Sequence, residues 1–141
     1  MRHLSLALIL ALPLPAVAEE IVAVPFEGSY DDAAFAVENA IVGRGLVVDH
    51  VSHVGEMLNR TAADVGATKQ IFTDAQVFQF CSAVVSRQVM EADPLNVGYC
   101  PYGIFVFENE DGVKIGYRTY PDGPMDVVED LLKDIVEEAG G

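Results

Sequence analysis

Positive charge is scarce in this chain: 8 Lys and Arg stand against 22 Asp and Glu in 141 residues. A phosphate backbone needs a basic face, so no nucleic-acid partner is expected, and docking on anionic lipid is disfavoured for the same reason. Long apolar runs are also scarce, and past residue 18 none is long enough for a membrane span. Catalytic signatures are missing: there is no Gly-x-Ser-x-Gly, no phosphate-cradling glycine loop and no His-Glu-x-x-His. Cys-x-x-Cys-His is absent too, which excludes covalent c-type haem attachment. Cysteine itself is limited to Cys81 and Cys100.

What is present begins with an export signal. Arg2 supplies a basic start, residues 4–14 form a short apolar stretch, and Ala16-Val17-Ala18 reads as the cleavage site ahead of Glu19-Glu20. Residues 1–18 are therefore expected to be removed, leaving residues 19–141 as one periplasmic or secreted domain with no membrane attachment. Losing Arg2 leaves 7 basic residues against 22 acidic ones, a net charge of −15. In an oxidising compartment the two cysteines are free to pair.

The hydrophobic pattern predicts an α+β domain, with helices packed on an antiparallel sheet in the order β-α-β-β-α-β-β-α. Strands are expected at 21–26, 46–51 and 76–81. A helix starts at Ser29, with Asp32 completing a capping box, and Gly43 and Gly45 bracket its exit. The stretch 52–66 is ambiguous, with Ser52 and Thr61 both suited to cap short helices. A helix over 82–92 is stopped by Asp93-Pro94. Ile104-Phe105-Val106-Phe107 and Val113-Lys114-Ile115-Gly116-Tyr117 flank Glu110-Asp111-Gly112 as a hairpin. A final helix carries Val127, Val128, Leu131, Leu132, Ile135 and Val136 on one stripe and an acidic opposite face.

The runs Phe80-Cys81-Ser82-Ala83, Glu91-Ala92-Asp93-Pro94 and Cys100-Pro101-Tyr102-Gly103-Ile104-Phe105-Val106-Phe107-Glu108, closed by Tyr117-Arg118-Thr119-Tyr120-Pro121, carry a resemblance. Across residues 28–121 the chain resembles the bacterial family called domain of unknown function 302, as an exported branch of it. The resemblance implies a compact α+β fold, often a homodimer, with no established general activity. In the commoner family pattern the second cysteine sits two positions later, directly after a proline, where this chain has Tyr102.

Candidate sites are few. Cys81 and Cys100 could form a structural disulfide, a redox or ligand site, or two separate buried thiols. Cys100-Pro101-Tyr102 looks superficially like a redox motif, but a strand follows it instead of the helix that activates such thiols. His53 and Met57 lie four apart on a short helix, with His50 nearby, and imidazole with thioether suits copper or haem iron. Asp49 and Glu56 could orient those imidazoles, and His53 with Glu56 could act as an acid/base pair. Tyr102 and Arg118, among Tyr99, Tyr117 and Tyr120, could line a cleft for an aromatic or anionic ligand. Beside each of these stands a plain structural role, as a packed side chain or as a group that keeps the surface in water.

These observations lead to an exported, non-enzymatic binding or accessory protein for a metal, haem or small ligand. The alternatives are an enzyme using Cys81 and Cys100 or His53 and Glu56, and an acidic module that meets a basic protein partner.

Overall fold

The structure, a computed structural model, describes residues 20–141. The export signal read at 1–18 lies outside the described residues. Among the described residues, no helix is long and apolar enough to cross a membrane.

The chain runs β1 (Ile21–Pro25), α1 (Tyr30–Gly43), β2 (Val47–Ser52), α2 (Val54–Thr61), β3 (Asp74–Cys81), α3 (Ala83–Ala92), a short 3-10 helix (Pro94–Tyr99), β4 (Tyr102–Asn109), β5 (Gly112–Arg118) and α4 (Asp126–Gly140). The five strands form one antiparallel sheet in the order β1-β5-β4-β3-β2. This is the α+β architecture the periodicity predicts.

Local chemistry explains most boundaries. The Ser29 hydroxyl accepts from the Asp32 amide at 3.1 Å while the Asp32 carboxylate accepts from the Ser29 amide, so the capping box starts α1. The helix ends at Gly43, and Gly45 follows at φ 74°, where a side chain would be strained. Ser82 caps α3, and Asp93 both ends α3 and caps the 3-10 helix through the Leu95 amide. Glu110-Asp111 is the two-residue turn of the β4–β5 hairpin.

The ambiguous stretch resolves as α2, and its cap differs from the expected one. His53 occupies the N-cap position without a side-chain capping bond, because Ser52 is still paired with Val77 in the sheet. Thr61 ends α2, its hydroxyl donating to the Met57 carbonyl at 2.8 Å, and starts no further helix.

Helices α1 and α4 pack on each other and on β4 and β5. Their buried stripes, Ala33, Val37, Ala40 and Ile41 from α1 and Val128, Leu132, Ile135 and Val136 from α4, meet Phe78, Phe80, Tyr102, Ile104, Val106 and Ile115. Val89 of α3 joins the same core. Each fully buried aliphatic side chain there contributes about 1.5–3 kcal/mol. The α1–α4 layer thus lies on one face of the sheet, and this asymmetry positions everything below.

Candidate functional site

The central strand β4 is apolar on both sides. Tyr102, Ile104 and Val106 point into the helix-covered core and are 0% exposed. Gly103, Phe105 and Phe107 alternate with them and face away from that core. Register extends the second face across the sheet. Phe105 lies opposite Gly116 and Val77, Phe107 opposite Lys114 and Ala75, and Gly103 opposite Gln79. At the edges, Ala23 pairs with Gly116, and His50 with Gln79 beyond a bulge at Asp49.

Aromatic rings floor this face. Phe105 and Phe107 stack at 6.0 Å between centroids, and Phe72, from the connection into β3, packs on Phe107 at 5.3 Å. The Phe105 ring can lie flat because Gly116 has no side chain: a Cβ there would meet Phe105 Cζ at 2.5 Å and Ala23 Cα at 3.0 Å. Helix α2 closes one end. Gly55 lets its backbone approach β3 so closely that a Cβ would meet the Ala75 amide nitrogen at 2.5 Å. Between helix and sheet lies an apolar pocket of about 150 Å³, lined by residues including Val54, Phe72, Ala75, Val77, Phe105 and Phe107. Two larger, more polar hollows adjoin it along the 58–73 segment.

The residues singled out from the sequence fall in three places. Cys81, ending β3, and Cys100, just before β4, sit at disulfide distance with their Cα atoms 6.6 Å apart. No free cysteine remains among the described residues. His50 lies on the exposed edge strand β2, while His53 and Met57 are exposed at the start of α2, one turn apart, with Met57 43% exposed. Glu56 is exposed beside them. Among the described residues, no group of three His, Cys, Asp or Glu is arranged to hold a metal ion.

Tyr102 and Arg118 are linked through a third ring. Tyr102 is fully buried, its hydroxyl 3.2 Å from that of Ser86, and it meets Tyr120 edge-on at 6.2 Å. The Arg118 guanidinium lies 5.0 Å from the centre of the Tyr120 ring. Tyr99 also packs edge-on against Tyr120. Solvent therefore reaches the Arg118 end of this cluster and not Tyr102. Tyr117 is buried as well, and that burial, followed by the carboxylates of Glu129, Glu137 and Asp130, raises its pKa.

The pocket residues were not singled out from the sequence, although one signal was there. A strand reading Tyr-Gly-Ile-Phe-Val-Phe is apolar on both faces, the pattern of a strand used on both sides. That α2 and Phe72 would supply the other wall depends on the 58–73 connection, whose course no local spacing encodes.

The family described as "Domain of unknown function DUF302" matches residues 22–140. Among solved structures, the chain is similar to an uncharacterized conserved DUF302 protein from Bacillus stearothermophilus, at 19% identity, covering 88% of each chain with a TM-score of 0.56. That likeness is one of fold. No curated protein matches the chain.

Proposed function

Since the chain belongs to the DUF302 family, whose description carries no activity, we propose from its geometry that it is an exported, non-enzymatic protein that binds a small ligand on the sheet face opposite α1 and α4, beside α2. The observation that carries this reading is the apolar pocket between α2 and the Phe105–Phe107 floor. Pockets of small-molecule sites are concave and mostly apolar, with a few polar groups for orientation. Pairing of Cys81 with Cys100 favours binding over thiol chemistry, because a disulfide offers no thiolate nucleophile. The oxidising compartment that the signal reading implies suits the same pairing.

Native mass spectrometry of the protein recovered from the periplasm tests the reading. A noncovalent small-molecule adduct that disappears on denaturation is expected. Protein recovered from the cytoplasm, or recovered from the periplasm with no adduct, would count against it.

A second reading has an observation of its own: the His53 imidazole makes no capping bond and stands exposed one turn from Met57. With His50 or a second copy of the chain completing the ligand set, these groups would hold copper or haem. Copper and haemin titrations followed by visible absorption check it. Spectra identical for the protein and its His53→Ala variant would dismiss it.

A further inference from the structure

We propose that the pocket between α2 and the sheet takes a single aromatic ring carrying a carboxylate, with Lys114 as the group that holds the anion. The proposal deepens the binding-protein reading and rests on it.

Size comes first. An apolar cavity of about 150 Å³ accommodates one benzene ring, and this pocket has that volume. Of its lining residues only Gln76 is polar, and Gln76 pairs with Val106, on the strand positions that face the helix-covered core. The stacked Phe105 and Phe107, with Phe72 tilted against Phe107, offer ring faces and edges to an aromatic guest. Offset and edge-to-face contacts of that kind add about 0.5–1.5 kcal/mol beyond area burial.

Charge decides the rest. In a chain with 22 acidic residues, no carboxylate occupies a paired position on this face; the row on β5 is Lys114, Gly116, Arg118 and the row on β4 is Gly103, Phe105, Phe107. Off the paired positions, Asp49 is the bulge residue of the far edge strand, Glu56 stands exposed on α2 and Glu110 lines the adjoining polar hollow with Phe72. Lys114 lies directly across from Phe107, which puts their Cβ atoms about 4.5–5.5 Å apart. Among the described residues, ion pairs join Arg44 with Glu138, Arg87 with Glu91 and Lys133 with Glu137, and none of these involves Lys114. Lys114 is nonetheless half-buried, unlike the exposed Arg60 and Lys69. A half-buried lysine across from Phe107, within side-chain reach of an apolar ring-sized pocket that Phe107 lines, complements an aromatic carboxylate. Arg118, turned onto Tyr120, is not needed for the contact.

The test uses the intact protein labelled with nitrogen-15, titrated with phenylacetate, with benzyl alcohol (ring without charge) and acetate (charge without ring) as controls. Phenylacetate is expected to give saturable amide shifts at Val54, Phe72, Val77, Phe105 and Phe107, more tightly than either control. Lys114→Gln should weaken phenylacetate roughly tenfold while leaving benzyl alcohol unchanged, and Val77→Phe should block both by filling the pocket. The rest of the spectrum reports that each variant is folded. Phenylacetate binding no tighter than benzyl alcohol, shifts centred elsewhere, or indifference to Lys114→Gln would overturn the proposal. The outcome is separable from the broader reading: a periplasmic adduct with no phenylacetate binding sinks this inference alone, whereas bare protein sinks both.

Discussion

Gly116 is the position at which one atom separates the two sides of the molecule. Its missing Cβ lets Phe105 lie across β5 and lets β1 approach, since an added methyl would clash with the Val22 carbonyl oxygen and the Phe105 ring together. Backbone cannot yield as a flexible side-chain tip can, so Gly116→Ala is expected to cost about 3 kcal/mol. Gly98→Ala, where nothing lies within 4 Å of the new Cβ, should change stability little; urea midpoints of the two variants check the contrast. Tyr30 gives a pH-dependent counterpart. Burial, then the charges of Asp74 and Asp31, push its hydroxyl up from 10.0 to about 12. Below pH 10 folded and unfolded chains both keep the proton, and this stability is fully present. Above it the unfolded chain ionises first, so stability is lost progressively as pH rises towards about 12. Tyr30→Phe should flatten that alkaline fall in midpoint; an unchanged slope would show that other groups, such as the similarly raised Tyr117, produce it.

Among the elements, those set by neighbours in sequence were legible before the structure. The capping box at Ser29 and Asp32, the stop at Asp93-Pro94 and the Glu110-Asp111-Gly112 turn are each satisfied within a few residues, and each appears where the spacing puts it. Elements set from far away were not. Ser52 has the chemistry of a cap, yet sheet pairing with Val77 holds it in β2 and moves the cap to His53. The strand order, with β1 beside β5 and β2 at the opposite edge, follows from packing of whole segments. The candidate pocket was hidden for the same reason, because its wall comes from Phe72 and α2 and its floor from β4. The cysteine pair joins these two scales: at disulfide distance, Cys81 at the end of β3 and Cys100 entering β4 are placed to be tied across 19 positions of sequence. Closing a loop of that size restricts the unfolded chain and stabilises by about 3 kcal/mol. Thermal unfolding of the protein with and without reductant, and of the Cys81→Ala, Cys100→Ala double variant, should show that loss; matching midpoints would mean the link contributes nothing.

At the scale of the whole molecule, a chain with a formal charge of −14 folds against its own repulsion. The acidic residues are not neutralised in place. The outer side of α4 presents Asp126, Asp130, Asp134, Glu137 and Glu138 to solvent, and cations that meet it include Lys133 within the helix and Arg44 just past the end of α1. Arg44 does more than pair with Glu138: it also donates to the Asp134 carbonyl at 3.1 Å and the Ala40 carbonyl at 3.2 Å, fastening α1 to α4 at their exposed ends. The two i,i+4 pairs, Arg87 with Glu91 and Lys133 with Glu137, are more than half exposed, and such pairs contribute only about 0.3–0.5 kcal/mol each. Attraction is thus confined to a few contacts while repulsion is spread over the surface. Salt shrinks the Debye length to about 8 Å at physiological ionic strength, which weakens spread-out repulsion more than contact pairs. The melting temperature should therefore rise as sodium chloride is added from low ionic strength, and the Arg44→Ala variant should show the same upward trend from a lower start. A melting temperature that falls with salt would mean that ion pairing outweighs repulsion, and that the acidic surface is held by contacts other than these.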